Sequence, residues 1–180
     1  DIYLAELARR DGCADASPML CPRCKDPGKV PMYHCEECAG RLLLCRECCL
    51  EKHLENPLHE WTGIYFNKTS VKDLGLCIQF SHPPGEHCYN SDTGHQDFVV
   101  VHDNGIHKVN VTFCGPCSRV PYIQLLRAGW YPATEDKPHT CATFLVLNKL
   151  HLCSLQAKMT TYDFYAVLAQ LTNNTGVKPP

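Results

Sequence analysis

Cys21-Pro-Arg-Cys24, Cys35-Glu-Glu-Cys38 and Cys45-Arg-Glu-Cys48, then His53 and His59, form the stretch from which the rest of the chain is read. Three CxxC pairs and two trailing histidines supply eight donors, the number that two closed tetrahedral zinc sites require. The two residues inside a CxxC pair fold as a tight knuckle, so both thiolates can face one ion. Thiolate and neutral imidazole are donors that Zn²⁺ prefers, and four of them without an open position make a structural site. Ten residues separate the first two pairs and six the second and third. This compact order favours an interleaved wiring: Cys21, Cys24, Cys45 and Cys48 on one ion, Cys35, Cys38, His53 and His59 on the other. Consecutive wiring is the alternative, with Cys45, Cys48, His53 and His59 as a separate finger.

Fourteen cysteines in 180 residues would also suit a disulfide scaffold. Repeated CxxC pairs followed by spaced histidines, without a signal-like apolar segment, point instead to metal in a reducing compartment. Hydrophobic residues at 44% and charged residues at 20% describe a globular chain. There is no apolar run long enough to span a membrane, so no membrane partner is expected. A net charge of −2 leaves no global footprint for nucleic acid. Residues 1–61 hold 8 of the 17 Lys and Arg but 11 of the 19 Asp and Glu. The missing initial Met suggests a piece of something longer.

Outward from the metal stretch, Leu4, Leu7 and Ala8 make a stripe that predicts a short helix over 3–10, ended at Gly12. Residues 31–35 and 41–45 read as two short strands, each delivering a cysteine at its end. Arg46 to Glu55 has helical composition and stops before Pro57. Cys13 and Cys49 are left out of the ligand set, and His34 reads as a surface residue. Trp61 to Gly75 reads as a connector, with Ser70 and Asp73 spaced as a capping box. These readings divide the chain into a metal module at 1–61 and a second domain at 62–180.

The second domain opens with a strand at 76–80 holding Cys77 in its apolar run. His82, His87, Cys88 and Cys114-Gly-Pro-Cys117 then form another cluster. The simplest third zinc site takes His82, Cys88, Cys114 and Cys117, with His87 as the alternative to His82. Between its halves lies a hairpin, 98–102 and 106–113, turning at Asp103-Asn104-Gly105. An antiparallel hairpin brings Cys114 back across the 25-residue gap from Cys88. His95, His102 and His107 read as surface residues of that hairpin. A short helix over 122–130 with a Gly stop, a strand opening into a helix at 142–150, and a helix over 162–171 complete the domain. Phe164, Val167, Leu168 and Leu171 are expected on the buried face of the last helix. The fold class is thus α+β: a small two-zinc module followed by a zinc-bearing β-hairpin domain with short helices, three Zn²⁺ in all.

A set of short motifs in order carries a family resemblance: Tyr3-Leu-Ala-Glu-Leu, the CxxC module, Asn56-Pro-Leu-His59, Leu74-Gly-Leu, Phe80-Ser-His82, Asn104-Gly-Ile-His107, Val111-Thr-Phe-Cys114, Gln124-Leu-Leu-Arg127, Tyr131-Pro-Ala-Thr134 and Tyr162-Asp-Phe-Tyr165. The chain resembles the CxC-type cysteine-cluster domain that precedes the catalytic region of Kyakuja-Dileera-Zisupton (KDZ) transposases, abundant in fungal genomes. It departs from that family's Cys-x-Cys after the hairpin, since Cys114-Gly-Pro-Cys117 has one more residue. The interleaved ligand order also resembles the cross-brace of ZZ and B-box modules.

The resemblance implies a nuclear, non-catalytic accessory domain, with catalytic carboxylates downstream. Asp and Glu here are scattered, without a constellation for two Mg²⁺ ions, and no Gly-rich phosphate loop follows a strand. Transposon-end DNA is the partner expected first, through Arg41, Arg46, Lys52, Lys72, Lys108, Arg119 and Arg127. A protein partner, either a histone tail or the transposase's own catalytic region, is the alternative, suggested by Glu36, Glu37, Glu47 and Glu51.

Overall fold

The computed structural model describes residues 2, 4, 20–35, 37–38, 42–63, 68–82, 86, 88–115 and 120–173. The helix expected over 3–10 and the loop with Cys13 fall mostly outside them. The chain divides into two units, 1–75 and 76–180, later than the division after Trp61 that the sequence suggests. The reason is that the expected connector holds two strands belonging to the first unit.

In that unit β1 (Tyr33–Cys35), β2 (Trp61–Gly63) and β3 (Lys68–Thr69) form an antiparallel sheet in the order β1-β2-β3. Cys35 lies opposite Trp61 in the register. The predicted strand at 41–45 does not form among its described residues. Leu44 makes one bridge to Tyr33, donating to its carbonyl at 2.7 Å. After this bridge Cys45 becomes the N-cap of α1 (Arg46–Lys52), so the chain turns into a helix instead of extending the hairpin. Leu43, Leu44, Leu58 and Trp61 are buried beneath. The capping box is present: Ser70 Oγ accepts from Asp73 N–H at 3.1 Å, and Ser70 N–H donates to Asp73 Oδ2 at 3.3 Å.

The second unit is a mixed sheet of β4 (Cys77–Gln79), β5 (Ser91–Thr93), β6 (Phe98–His102), β7 (Gly105–Cys114), β8 (Trp130–Pro132) and β9 (Thr140–Thr143), with α2 (Pro121–Arg127), α3 (Phe144–Ala157) and α4 (Thr161–Thr172). The order is β4-β7-β6-β9-β8, and β5 also pairs with β7. β4 with β7 and β6 with β9 run parallel. Period-two alternation buries Phe98 and Val100 on β6 and Val109, Val111 and Phe113 on β7. Phe80 stacks on Phe113 at 5.5 Å and meets Trp130 edge-on at 5.2 Å. The predicted half-and-half reading of 142–150 is what occurs, with Thr143 Oγ1 capping α3 by accepting from Val146 N–H. Gly129, at φ 80°, ends the turn after α2 as expected.

Two expectations fail here. The hairpin turn centres on Asp103-Asn104, because His102 pairs with Gly105 across it. Gly105 has φ 151°, and a Cβ on it would stand 2.9 Å from Thr172 Oγ1. That hydroxyl accepts from Ile106 N–H at 2.7 Å, so the glycine admits the end of α4 and does not sit inside the turn. The second failure is the buried face of α4. Only Leu168 is buried there, while Val167 and Leu171 are exposed. The hairpin histidines are also engaged: His102 Nδ1 lies 2.9 Å from Thr143 Oγ1, and His107 Nε2 lies 2.7 Å from Asn104 Oδ1.

Candidate metal centres

Eleven of the described cysteines and histidines gather into three groups, in each of which one donor atom per residue lies within 4.8 Å of the others: Cys21, Cys24, Cys45 and Cys48; Cys35, Cys38, His53 and His59; His82, Cys88 and Cys114. The first two alternate along the chain, so the spacing argument for interleaving matches the grouping. Cys117, expected as the fourth member of the third group, and His87 lie outside the described residues. None of the twelve described cysteines is disulfide-bonded.

The first group is built by a turn facing a helix start. Lys25 N–H returns to Cys21 C=O at 2.9 Å and closes the knuckle. Cys45 N–H points at Cys21 Sγ at 3.5 Å, and Cys24 Sγ lies 3.8 Å from Cys45 Sγ. Burial raises a thiol's pKa, but the backbone N–H groups of Cys24, Cys45 and Arg23 outweigh it at Cys21 and bring it to about 6. At Cys48 burial dominates, and the thiol is pushed up to about 12. Cys21 is thus already a thiolate near neutrality, whereas Cys48 becomes one only by yielding its proton to a cation.

The second group hangs on the far end of the same helix. His53 follows α1 directly, and its Nδ1 lies 3.1 Å from Cys49 C=O. A carbonyl can only accept, so Nδ1 carries the proton and Nε2 offers its lone pair, 3.2 Å from Cys38 Sγ. Burial lowers the His53 pKa to about 4, keeping the ring neutral and competent as a ligand. His59 approaches through the other nitrogen, with Nδ1 3.4 Å from Cys35 Sγ and 3.7 Å from Cys38 Sγ. Cys35 is pushed by burial up to about 12. Cys49, adjacent to Cys48, is fully buried with its thiol toward Tyr33 C=O, and it contributes its carbonyl instead of its sulfur.

In the third group Cys114 ends β7, and β5 holds Ser91 opposite it, which brings Cys88 Sγ to 3.5 Å from Cys114 Sγ. His82 Nε2 is 3.4 Å from Cys114 Sγ. Ser81, just before it, takes the left-handed φ of 67°, an unusual conformation for a side chain other than glycine. Its hydroxyl donates to Gln124 Oε1 at 3.2 Å.

Sequence reading passed over the residues that hold these groups in place. Gln124 on α2 is buried and clasps the Cys114 backbone both ways: Oε1 accepts from Cys114 N–H at 3.0 Å, and Nε2 donates to Cys114 C=O at 3.0 Å. Trp61 lies edge-on against His53, ring centroids 4.0 Å apart, and its buried Nε1 has no hydrogen-bond partner among the described residues. Glu37 Oε2 accepts from Glu60 N–H at 3.0 Å and from the Cys35 thiol at 3.5 Å. A glutamine within Tyr-Ile-Gln-Leu-Leu gives no sign that it faces inward; only the unit's topology does.

Donor types, proximity and the fixed tautomer of His53 make all three groups able to hold a metal ion. Residues 71–176 match the family model described as CxC2 like cysteine cluster associated with KDZ transposases. No curated protein and no solved structure matches the chain. The matched span contains β4 to α4 with the whole third group, while the first two groups, and the motifs read at 3–59, precede it. A match over more than half of the residues, carried on a sheet whose cysteines converge, places this chain in the family of CxC2-like cysteine clusters associated with KDZ transposases.

Proposed function

We propose that this chain is a zinc-structured, non-catalytic accessory module of a KDZ-type transposase, acting in the nucleus and contributing to recognition of transposon-end DNA. The observation that carries it is the sorting of eleven donors into three sets of thiolates and imidazoles, the donor chemistry of structural zinc. Cys117 would complete the third set. The interleaved first two sets suit a cross-brace of the ZZ and B-box kind. When bound, zinc would supply cross-links that fold the short strands; the chain's own residues orient the ligands. Among the residues read as a DNA-facing patch, Arg46, Lys108 and Arg127 are exposed. Arg46 is less available, since its guanidinium donates to Leu74 C=O at 2.6 Å.

A protein-binding role is the second reading, favoured by Glu47 and Glu51, which are exposed on consecutive turns of α1. Titration of the zinc-loaded chain with a DNA duplex at rising ionic strength separates the two. Phosphate contacts give an affinity that falls steeply with salt. Lys108→Glu with Arg127→Glu should flatten that slope by about one unit for each phosphate no longer neutralised. Absence of salt-sensitive binding at low ionic strength would sink the DNA reading, and binding of a basic peptide that is abolished by Glu47→Gln with Glu51→Gln would replace it.

A further inference from the structure

We infer that α3 is a self-association surface, against which a second copy of this chain packs its own α3. Only Val146 of this helix's fourteen residues is buried. Leu145, Leu152 and Leu155 are 48%, 57% and 63% exposed, and with Asn148 they are spaced three, four and three residues apart. That is the repeat of a helix seam that meets another helix along its length, and clustered exposed leucines mark an interaction surface.

The identity of the occupant follows from charge and from Asn148. Lys149 is the only Lys, Arg, Asp or Glu in α3, and its ammonium is bound to Asp103. The seam therefore offers no free cation to a phosphate backbone and no repulsion to a copy of itself. Asn148 stands in the middle of the leucines. Against a purely apolar partner its carboxamide would be buried without hydrogen bonds, at a cost of about 1–3 kcal/mol. A copy packed parallel to it about a two-fold axis brings a second Asn148 to the same level, and an amide, being both donor and acceptor, complements itself. One four-residue stripe supplies less than the ~800 Å² per partner of a typical specific interface. Association is accordingly weak and concentration-dependent.

Sedimentation equilibrium of the zinc-loaded 180-residue chain tests this. The wild-type chain should show a monomer–dimer equilibrium, and Leu152→Glu should weaken it at least tenfold while leaving far-ultraviolet circular dichroism and zinc content unchanged. Asn148→Asp and Asn148→Lys should each be monomeric, and an equal mixture of the two should dimerise again. A wild-type chain that stays monomeric, a dimer indifferent to Leu152→Glu, or a mixture that fails to reassociate would each overturn the assignment.

Discussion

Two cases show how a candidate ligand's neighbours decide its chemistry. Gln124 fastens both backbone groups of Cys114. Gln124→Leu keeps the bulk and removes both hydrogen bonds to the buried Cys114 backbone, at a cost of about 1–3 kcal/mol. Removing such a supporting partner weakens metal binding about 10- to 100-fold, so a chelator competition should find one of three zinc ions released early; unchanged retention of all three would refute this role. Cys21 and Cys48 make the second case, because their pKa values near 6 and 12 straddle neutrality. At pH 7 to 8 Cys48, like Cys35 near 12, holds a proton that an incoming ion must expel, whereas Cys21 does not. His53, near 4, contributes none either. Zinc affinity should therefore climb with pH through this window, by up to tenfold per unit for each proton released. Calorimetry in buffers of differing ionisation heat would count those protons, and a count of zero would contradict the burial argument.

At the level of elements, what was legible depended on whether the signal was local. CxxC pairs are local, and the first two groups of candidate donors follow the order that their spacing suggests. The capping box at Ser70 and the strand-to-helix passage at Thr143 were equally plain, because caps act within one turn. β5 was invisible: Ser91-Asp92-Thr93 is exposed and has no apolar alternation, and it is a strand only because β7 runs past it. The hairpin turn was misjudged for a similar reason. Asn104-Gly105 reads as a local turn signal, but Gly105 is spent on a long-range approach by Thr172. Gly105→Ala should therefore cost about 1–3 kcal/mol through the rare backbone conformation, with added strain against α4. Urea unfolding would measure it, and an unshifted midpoint would mean that the turn relaxes freely. Helical periodicity misled at α4 because an apolar stripe reads alike whether or not its own domain covers it.

For the whole molecule, the two units carry different candidate metal groups, and the family match covers the second with only a few residues of the first. Structural zinc contributes about 10–16 kcal/mol of apparent binding free energy in finger peptides, more than most domains have in reserve. Cys38→Ser should then unfold 20–63 while hydrogen exchange protection persists in β6 and β7. Cys88→Ser should do the reverse. Loss of protection throughout the chain from either substitution would mean that the units do not fold separately. The alternating order of the first two groups also has a consequence for the chain as it is made. Cys21 and Cys24 leave the ribosome first, yet neither group can close before Cys48 is synthesised, and the second waits for His59. At about 5–20 residues per second, the first pair stands as bare thiols for roughly one to five seconds. During that interval those sulfurs stay free for an ion only if the surroundings of the nascent chain are reducing, since its own fold does not yet shield them.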